Sequence, residues 1–288
     1  MNPYQKYVEE IAKHLEGGRS LPLGGIPPIT KPEIKANAPV ALVFAPHPDD
    51  ECIIGALPLR LLREARMNVK DVAVTQGSNH ARQAGRLQEL TNACGFIGFS
   101  VVTTVTNGLE KINPKTRKDD PARWAAAVKV IEDILLKNKP RVVIFPNAQD
   151  SNSTHMGTHY LVMDALSQMP APFKCYVVET EFWGANAKPN LMVELSSHDL
   201  GDLLAALSFH VEEVKRNPYH LRLPAWMQDN VRRGAELVGG QGGAAPEFPF
   251  ATLYRMSIWK NGKLEEAYTG GKIMTAQQAI GSIFDVID

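Results

Sequence analysis

The feature that most constrains this chain is the stretch VALVFAPHPDDE at residues 40–51. An unbroken apolar run such as VALVF is typical of a strand that is buried on both faces. One histidine and three acidic residues follow it closely. Each desolvated carboxylate costs several kcal/mol unless a positive charge neutralises it. A bound cation is the simplest explanation, and the alternative is a solvated turn whose acids cap the next helix.

The composition is that of an ordinary soluble globular protein. The 288 residues suffice for one large domain, or for one domain with an appended subdomain. The formal net charge is zero, which gives no support to nucleic-acid or anionic-membrane binding. Three widely spaced cysteines argue against a disulfide framework and suit a reducing cytosol. With no signal peptide and no apolar run of ~18 residues, we expect a cytoplasmic protein.

Predicted strands and helices alternate along most of the chain. The strands are predicted at 39–45, 69–74, 99–105, 141–145 and 174–179, and the helices at 4–16, 55–67, 81–94, 119–138 and 156–168. This alternation predicts an α/β, Rossmann-like three-layer fold around a mostly parallel sheet. We expect an N-terminal helix and linker over 1–37 and one domain over 38–288. From about residue 190, that domain is expected to carry a C-terminal extension with a helix and a hairpin that turns at Asn261–Gly262.

Polar loops follow three of these strands: HPDDE, TQGSNH and PNAQDSNSTHMGTH. Because ligands bind outside the carboxyl ends of the strands in such sheets, the three loops should converge. His47 and Asp50 lie close enough in one turn to face one cation, and His155 or His159 can provide a third ligand. A catalytic zinc usually has three protein ligands and keeps a position for water. Asp49 is then free to act as a general base.

The motif APHPDDE resembles the opening motif of the LmbE/PIG-L superfamily of zinc-dependent de-N-acetylases. The resemblance continues through TQGS, RLQELTNACG and the fourth-strand loop, and more faintly through ALSFH and APEF, so that it covers about residues 38–250. It implies a hydrolase that removes the N-acetyl group of an N-acetylglucosamine-type sugar or glycoconjugate with one zinc ion. Carried over to this chain, it makes His47 and Asp50 metal ligands and Asp49 the general base.

The resemblance also identifies the third ligand. The stretch DSNSTH at 150–155 corresponds to the family's Asp-x-His-Pro-Asp-His, which implies that His155 binds the metal and that Asp150 is the leading acid, here expected to contact substrate. The sequence departs from the pattern at Asn152, where the family has His, and at Thr154, where it has Asp. An Asn donates a hydrogen bond but delivers no proton. His159, one helical turn after His155, is a candidate to replace the missing imidazole or to bind the metal itself.

Other polar residues carry weaker predictions. Arg86 is a candidate substrate contact, and the alternative is an ion pair with Glu89 at i+3. His80 either borders the site or lies in an exposed loop, and His210 is expected to pack beside a helix stripe. The Gly-rich segment 232–250 is either a lid or a surface loop.

Two further classes of function stay open at this stage. The protein could hydrolyse an N-acyl or related bond outside sugars. It could also bind a sugar without turnover, because Asn152 replaces a catalytic His, although a binding protein needs no base such as Asp49 beside its metal. The oligomeric state, including a homo-oligomer, is left open by the sequence.

Overall fold

The computed structural model of the protein describes residues 2–284. Over these residues one central sheet contains nine strands. In chain order they are β1 (Val40–Ala45), β2 (Asn68–Ala73), β3 (Ser100–Thr103), β4 (Val142–Pro146), β5 (Cys175–Thr180), β6 (Leu191–Glu194), β7 (Ala251–Lys260), β8 (Lys263–Glu266) and β9 (Lys272–Met274). The order across the sheet is β3-β2-β1-β4-β5-β7-β6-β9, with β8 paired to β7. All pairs among β1 to β5 are parallel, which confirms the predicted α/β fold with a mostly parallel sheet.

Helices cover both faces of this sheet. Within the described residues they are α1 (Pro3–Gly18), α2 (Asp50–Ile53), α3 (Ala56–Arg63), α4 (Gln83–Ile97), α5 (Pro114–Asp119), α6 (Pro121–Asn138), α7 (Ser153–Ser167), α8 (Ser197–Leu207), α9 (Val211–Arg216) and α10 (Leu223–Leu237). Short 3-10 turns occur at His80–Arg82, Tyr219–Arg222 and Ile280–Phe284. Helices α3, α4 and α8 pack on one face and α6 and α7 on the other, so the protein has three layers.

Strand β1 shows why both faces are covered. Side chains alternate between the two faces of a strand. In β1, Ala41 and Val43 belong to the core beneath α3 and α4, whereas Leu42 and Phe44 belong to the core beneath α6 and α7. All four residues are completely buried, as the unbroken apolar run predicts.

The C-terminal hairpin forms at the predicted turn, and its first strand is part of the central sheet. Asn261 and Gly262 both have positive φ, which a tight two-residue hairpin turn requires. Strand β7 enters the central sheet between β5 and β6 and runs antiparallel to both. The short strands β6 and β9 were not predicted, because runs of three or four residues carry too little periodicity.

The N-terminal helix α1 has no buried residue. The segment that follows it, predicted as a linker, is packed rather than free, since Leu23, Ile26, Ile29 and Ile34 contact the main core. Among the described residues, no helix is both long and apolar enough to cross a membrane.

The strand order places a ligand site next to β1. The chain moves from β1 to β2 on one side and later adds β4 on the other side, so the order reverses between β1 and β4. In open α/β sheets, ligands bind in the crevice at such a reversal, outside the carboxyl ends of the strands. The loops that follow β1 and β4 contain the candidate metal ligands.

Candidate metal centre

The loop after β1 is buried and conformationally strained, which excludes a solvated turn. Asp49 is 8% exposed, Asp50 3% and Glu51 0%. Asp49 adopts a φ of 120°, a region that residues other than glycine occupy at a cost of ~1–3 kcal/mol. Two hydrogen bonds hold this conformation: the Asp49 N–H donates to Glu51 Oε2 at 2.9 Å, and the His47 N–H donates to Asp50 Oδ2 at 2.9 Å.

Three predicted ligands converge at the mouth of this loop. Asp50 Oδ2 lies 3.4 Å from His47 Nδ1 and 3.3 Å from His155 Nε2. The ligand atoms of the three residues all lie within 4.8 Å of one another. Neighbouring ligand atoms around a tetrahedral zinc, with bonds of about 2.0–2.1 Å, lie roughly 3.3 Å apart. Within residues 2–284, His155 Nε2 is also a buried ring nitrogen without a hydrogen-bond partner. These residues therefore fit a zinc ion.

Asp150 orients the ligand His155. Its Oδ2 lies 3.4 Å from His155 Nδ1, and its side chain is 1% exposed. A metal-binding histidine typically engages a carboxylate through its other ring nitrogen, which fixes the ring orientation. Asp150 does not line the cavity in front of the ligands. Contact between Asp150 and substrate stays a prediction, since the structure places this carboxylate against His155 and outside the lining of the cavity.

Charges within the metal centre stabilise one another. Burial opposes ionisation of Asp50, but His155 and His47 outweigh it and hold the pKa of Asp50 well below its usual range. Burial disfavours the charged form of His155 as well, yet Asp50 and Asp150 raise the His155 pKa to about 10. Without a metal, a proton on His155 neutralises part of the acidic cluster. The crowded acids thus require a positive charge at this position.

Asp49 is set apart from the ligands by its environment. Burial, followed by the charge of Asp50, raises the pKa of Asp49 to about 7. The Tyr219 hydroxyl donates to Asp49 Oδ2 at 2.7 Å, which fixes one carboxylate oxygen. A general base is most effective when its pKa lies near the working pH. Asp49 is therefore suited to proton transfer.

Glu51, Cys52 and His210 form a second buried cluster, but its spacing is that of hydrogen bonds. Glu51 Oε1 lies 2.7 Å from His210 Nε2 and 3.1 Å from Cys52 Sγ. Two ligands of one metal ion cannot approach as closely as 2.7 Å, given the roughly 3.3 Å expected for zinc. Glu51 instead links His210 to the Asp49 backbone. His210 was expected to pack beside a helix stripe, and it is buried as a partner of Glu51.

A cavity of about 260 Å³ opens in front of the three ligands. Its lining includes Asp49, Asn152, Arg86, Trp183 and Tyr219. Arg86 donates to the Pro48 carbonyl at 3.1 Å. The alternative for Arg86, an ion pair with Glu89, is not formed within residues 2–284, where Glu89 Oε1 accepts the Glu212 N–H instead.

A second cavity of about 430 Å³ lies on the other side of His47. The TQGS loop, His80 and Thr154 contribute to its lining. His80 is exposed, and its Nδ1 lies 3.4 Å from Glu110. His80 is thus an exposed residue that borders the second cavity and not the cavity in front of the candidate ligands. The Gly-rich segment 232–250 comprises the end of α10 and an exposed loop, and it lines neither cavity.

His159 lies away from the metal centre. Its Nδ1 is 3.1 Å from the Pro146 carbonyl oxygen and 3.4 Å from Glu179, and its ring packs against Phe145. Burial lowers the His159 pKa. The sequence placed His155 and His159 on one helix face, and that expectation overlooks the rise of about 6 Å over four residues. His159 is thus not grouped with the three candidate ligands, and its predicted roles in the metal site stay predictions that these contacts do not support.

Tyr219, Glu51 and Trp183 complete the site, and sequence reasoning missed them. Glu51 is the third acid of HPDDE, so its motif was a usable signal. Tyr219 lies 170 residues after Asp49, and no spacing rule connects the two. Trp183 lies three residues after the last residue of β5, and the carboxyl end of that strand was a signal that was not used.

Residues 42–166 match the family described as PIG-L: GlcNAc-PI de-N-acetylase. This segment is a PIG-L family domain. It runs from the third residue of β1 to the last but one of α7, and hence contains the three candidate ligands and Asp49. The remainder of the sheet, including β7, lies outside the matched PIG-L segment. No curated protein sequence matches the chain.

Several solved structures share the fold of this chain over most of its length. N,N'-diacetylchitobiose deacetylase from Pyrococcus horikoshii is 15% identical, with a TM-score of 0.54 over 91% of this chain and 94% of that one. GalB, the 4-carboxy-2-hydroxymuconate hydratase from Pseudomonas putida KT2440, is 16% identical, with a TM-score of 0.56 over 76% and 95%. The A40926 pseudoaglycone deacetylase Dbv21 is 14% identical, with a TM-score of 0.55 over 78% and 98%. At these identities the likeness is one of fold, and the fold serves both deacetylases and a hydratase.

Proposed function

We propose that this protein is a zinc-dependent hydrolase that removes the N-acetyl group from an N-acetylglucosamine-type sugar or glycoconjugate. The observation that carries the proposal is the placement of His47, Asp50 and His155 at metal-ligand spacing beside the buried Asp49. The PIG-L domain over 42–166 supports the acetyl-amide bond as the target.

The ligand set defines what each residue does. His47, Asp50 and His155 hold the zinc, and Asp150 keeps the His155 ring in orientation. When bound, zinc supplies an acidified water and polarises the amide carbonyl. Asp49 accepts the proton of the attacking water while Tyr219 holds its other oxygen.

Completion of the reaction requires proton return to the leaving nitrogen. A C–O bond to water forms, the C–N bond of the amide breaks, and Asp49 passes its proton to the amine. The products are acetate and a free amine. The Asn152 side chain lines the cavity and donates a hydrogen bond to the developing oxyanion, but it takes no part in proton transfer. Asp49 therefore serves as both base and acid.

The alternatives to a sugar deacetylase are a hydrolase of non-sugar N-acyl bonds and a sugar-binding protein without activity. Hydrolysis of a non-sugar N-acyl bond requires the same residues, and a hydratase shares the fold. A non-catalytic sugar-binding protein is disfavoured, because the strained and buried Asp49 has no function without turnover.

Acetate release and metal content test the proposal together. The zinc-loaded protein should release acetate from methyl N-acetyl-β-glucosaminide or N,N'-diacetylchitobiose, and it should not hydrate 4-carboxy-2-hydroxymuconate. His47→Ala should lose both the metal and the activity, whereas His198→Ala, at a histidine that is 82% exposed, should keep both. Acetate release confined to acyclic N-acetyl amines, or hydration of the muconate, would refute the sugar assignment.

A further inference from the structure

Trp183 is an exposed aromatic residue at the mouth of the cavity. Its side chain is 49% exposed, whereas Trp124 and Trp259 are buried in the core. A single exposed apolar side chain is ordinary in itself. Trp183, however, lines the same cavity as Asp49 and His155, so part of its side chain is accessible to a substrate in that cavity.

The loop that contains Trp183 is hydrogen-bonded to the loop after β4, which precedes the candidate ligand His155. The Gly184 N–H donates to Asp150 Oδ2 at 3.3 Å, and Asn147 Nδ2 donates to the Gly184 carbonyl at 3.0 Å. Ser151 Oγ donates to the Trp183 carbonyl at 3.3 Å. A Cβ at Gly184 would lie 2.4 Å from Asp150 Cα, so only glycine permits this approach. The carboxylate that orients His155 thus also fixes the position of Trp183.

Aromatic neighbours hold the indole ring on one side. Its centroid lies 4.3 Å from that of Phe182 and 6.1 Å from that of Tyr219. Because the Tyr219 hydroxyl contacts Asp49, the indole is separated from the base by a single side chain. A ring that stacks on the indole would therefore lie beside the scissile bond.

We propose that Trp183 forms a ring-stacking subsite that selects substrates whose N-acyl group is attached to a ring with an apolar face. A pyranose has such a face in its axial C–H groups, whereas an acyclic N-acetyl amine does not. This inference rests on the proposed deacetylase function and specifies its substrate class. Stacking on a fixed indole requires little ordering of the protein when the substrate binds.

Kinetics with two substrates test the subsite. In the zinc-loaded protein, Trp183→Ala should raise KM for methyl N-acetyl-β-glucosaminide by about tenfold, equivalent to about 1.4 kcal/mol, and should leave kcat within about twofold. Its kcat/KM for N-acetylethanolamine should not change. Trp183→Phe should behave like the unmodified protein, and Trp183→Leu like Trp183→Ala. Tyr7→Ala removes another exposed aromatic side chain, 65% exposed on α1, and should have no effect.

Binding provides a second readout that does not depend on turnover. In the zinc-loaded Asp49→Asn variant, saturation-transfer NMR should show contact between the protein and the ring C–H groups of methyl N-acetyl-β-glucosaminide. Adding Trp183→Ala should abolish that signal. If Trp183→Ala left both the KM and the saturation-transfer signal unchanged, or lowered kcat/KM equally on both substrates, the proposed subsite would be overturned. Acetate release from the sugar would still support the proposed function in that case. Absence of acetate release from every N-acetyl sugar would refute the function, and the NMR result would still decide the subsite.

Discussion

At the scale of single residues, Asp50 is the centre of the site because one of its oxygens faces both histidine ligands. Without a metal, the buried carboxylate of Asp50 requires a proton nearby as its positive charge. The raised pKa of His155 places this proton on the His155 ring. Asp49, the adjacent residue in the chain, has the opposite environment, since burial and the negative charge of Asp50 raise its pKa. These opposite environments suit the separate roles proposed for the two neighbouring carboxylates, one in metal binding and one in proton transfer.

Metal binding should release a proton. The His155 pKa of about 10 means that this ring is protonated in the metal-free protein at about pH 8, and its Nε2 must lose that proton to bind a metal. The apparent zinc affinity should rise about tenfold per pH unit between about pH 7 and about pH 9, because one proton competes for one site. Titration calorimetry of zinc binding in two buffers of different ionisation enthalpy measures the number of protons released. A binding enthalpy that does not depend on the buffer would contradict the exchange of a His155 proton for zinc.

Asp49→Asn should separate base from ligand. Because Asp49 does not belong to the ligand set, the variant should bind zinc like the unmodified protein while kcat falls by about 10²–10⁴-fold. Metal analysis and acetate release measure the two effects. Asp133→Asn, at an exposed position of α6, is the control and should change neither. Loss of zinc in Asp49→Asn would show that the register of the motif is wrong.

At the scale of elements, α7 brings helix formation and chemistry together at its first residues. The sequence predicted that this helix begins near 156, whereas it begins at Ser153 with Asn152 as its N-cap. The Asn152 side-chain oxygen accepts the Thr154 N–H at 2.8 Å, which leaves its amide group available to a ligand in the cavity. Capping explains the structural tolerance of Asn at a position where the resemblance implies His.

Two substitutions at Asn152 should therefore have different effects. Asn152→Ala should lower the free energy of unfolding by ~1 kcal/mol, since the cap is lost, and should also lower kcat. Asn152→Asp should retain the cap and the stability, because a carboxylate caps equally well, yet it should lower kcat by removing the amide donor. Denaturant unfolding and acetate release distinguish the two effects. Full activity in Asn152→Asp would exclude an oxyanion contact from this residue.

The elements also show what a sequence can and cannot predict. His47, Asp50 and His155 were predictable because each follows a strand whose apolar pattern is clear, and strand ends meet at one edge of a parallel sheet. The contact between Asp150 and His155 was not predicted, because burial beside a candidate ligand leaves no periodic signal. Tyr219 reaches the site through tertiary contacts, which short-range patterns do not encode, whereas the position of Trp183 after β5 was a signal that sequence reasoning did not use.

At the scale of the whole molecule, the C-terminal strand β7 connects the sheet to the metal loop. It lies between β5 and β6, whereas chain order alone would place it after β6. From β7, the buried Tyr254 hydroxyl donates to the Ile54 carbonyl at 2.8 Å and accepts the Leu57 N–H at 3.0 Å. Ile54 directly follows α2, which begins at Asp50. The C-terminal region therefore supports the candidate metal centre, although it lies outside the matched PIG-L segment.

Truncation at the two ends of the chain should have unequal consequences. A chain that ends at residue 190 lacks β7 and leaves the edge of β5 open, including the buried Tyr176 and Val178, so it should be insoluble or melt without a cooperative transition. Deletion of residues 2–18 removes α1, which has no buried residue, and should change the melting temperature by only a few degrees. Circular dichroism melting and soluble yield measure both. A cooperative transition in the fragment that ends at residue 190 would show that β1 to β5 fold without β7. The C-terminal strands would then not be required for the fold that positions the candidate metal ligands.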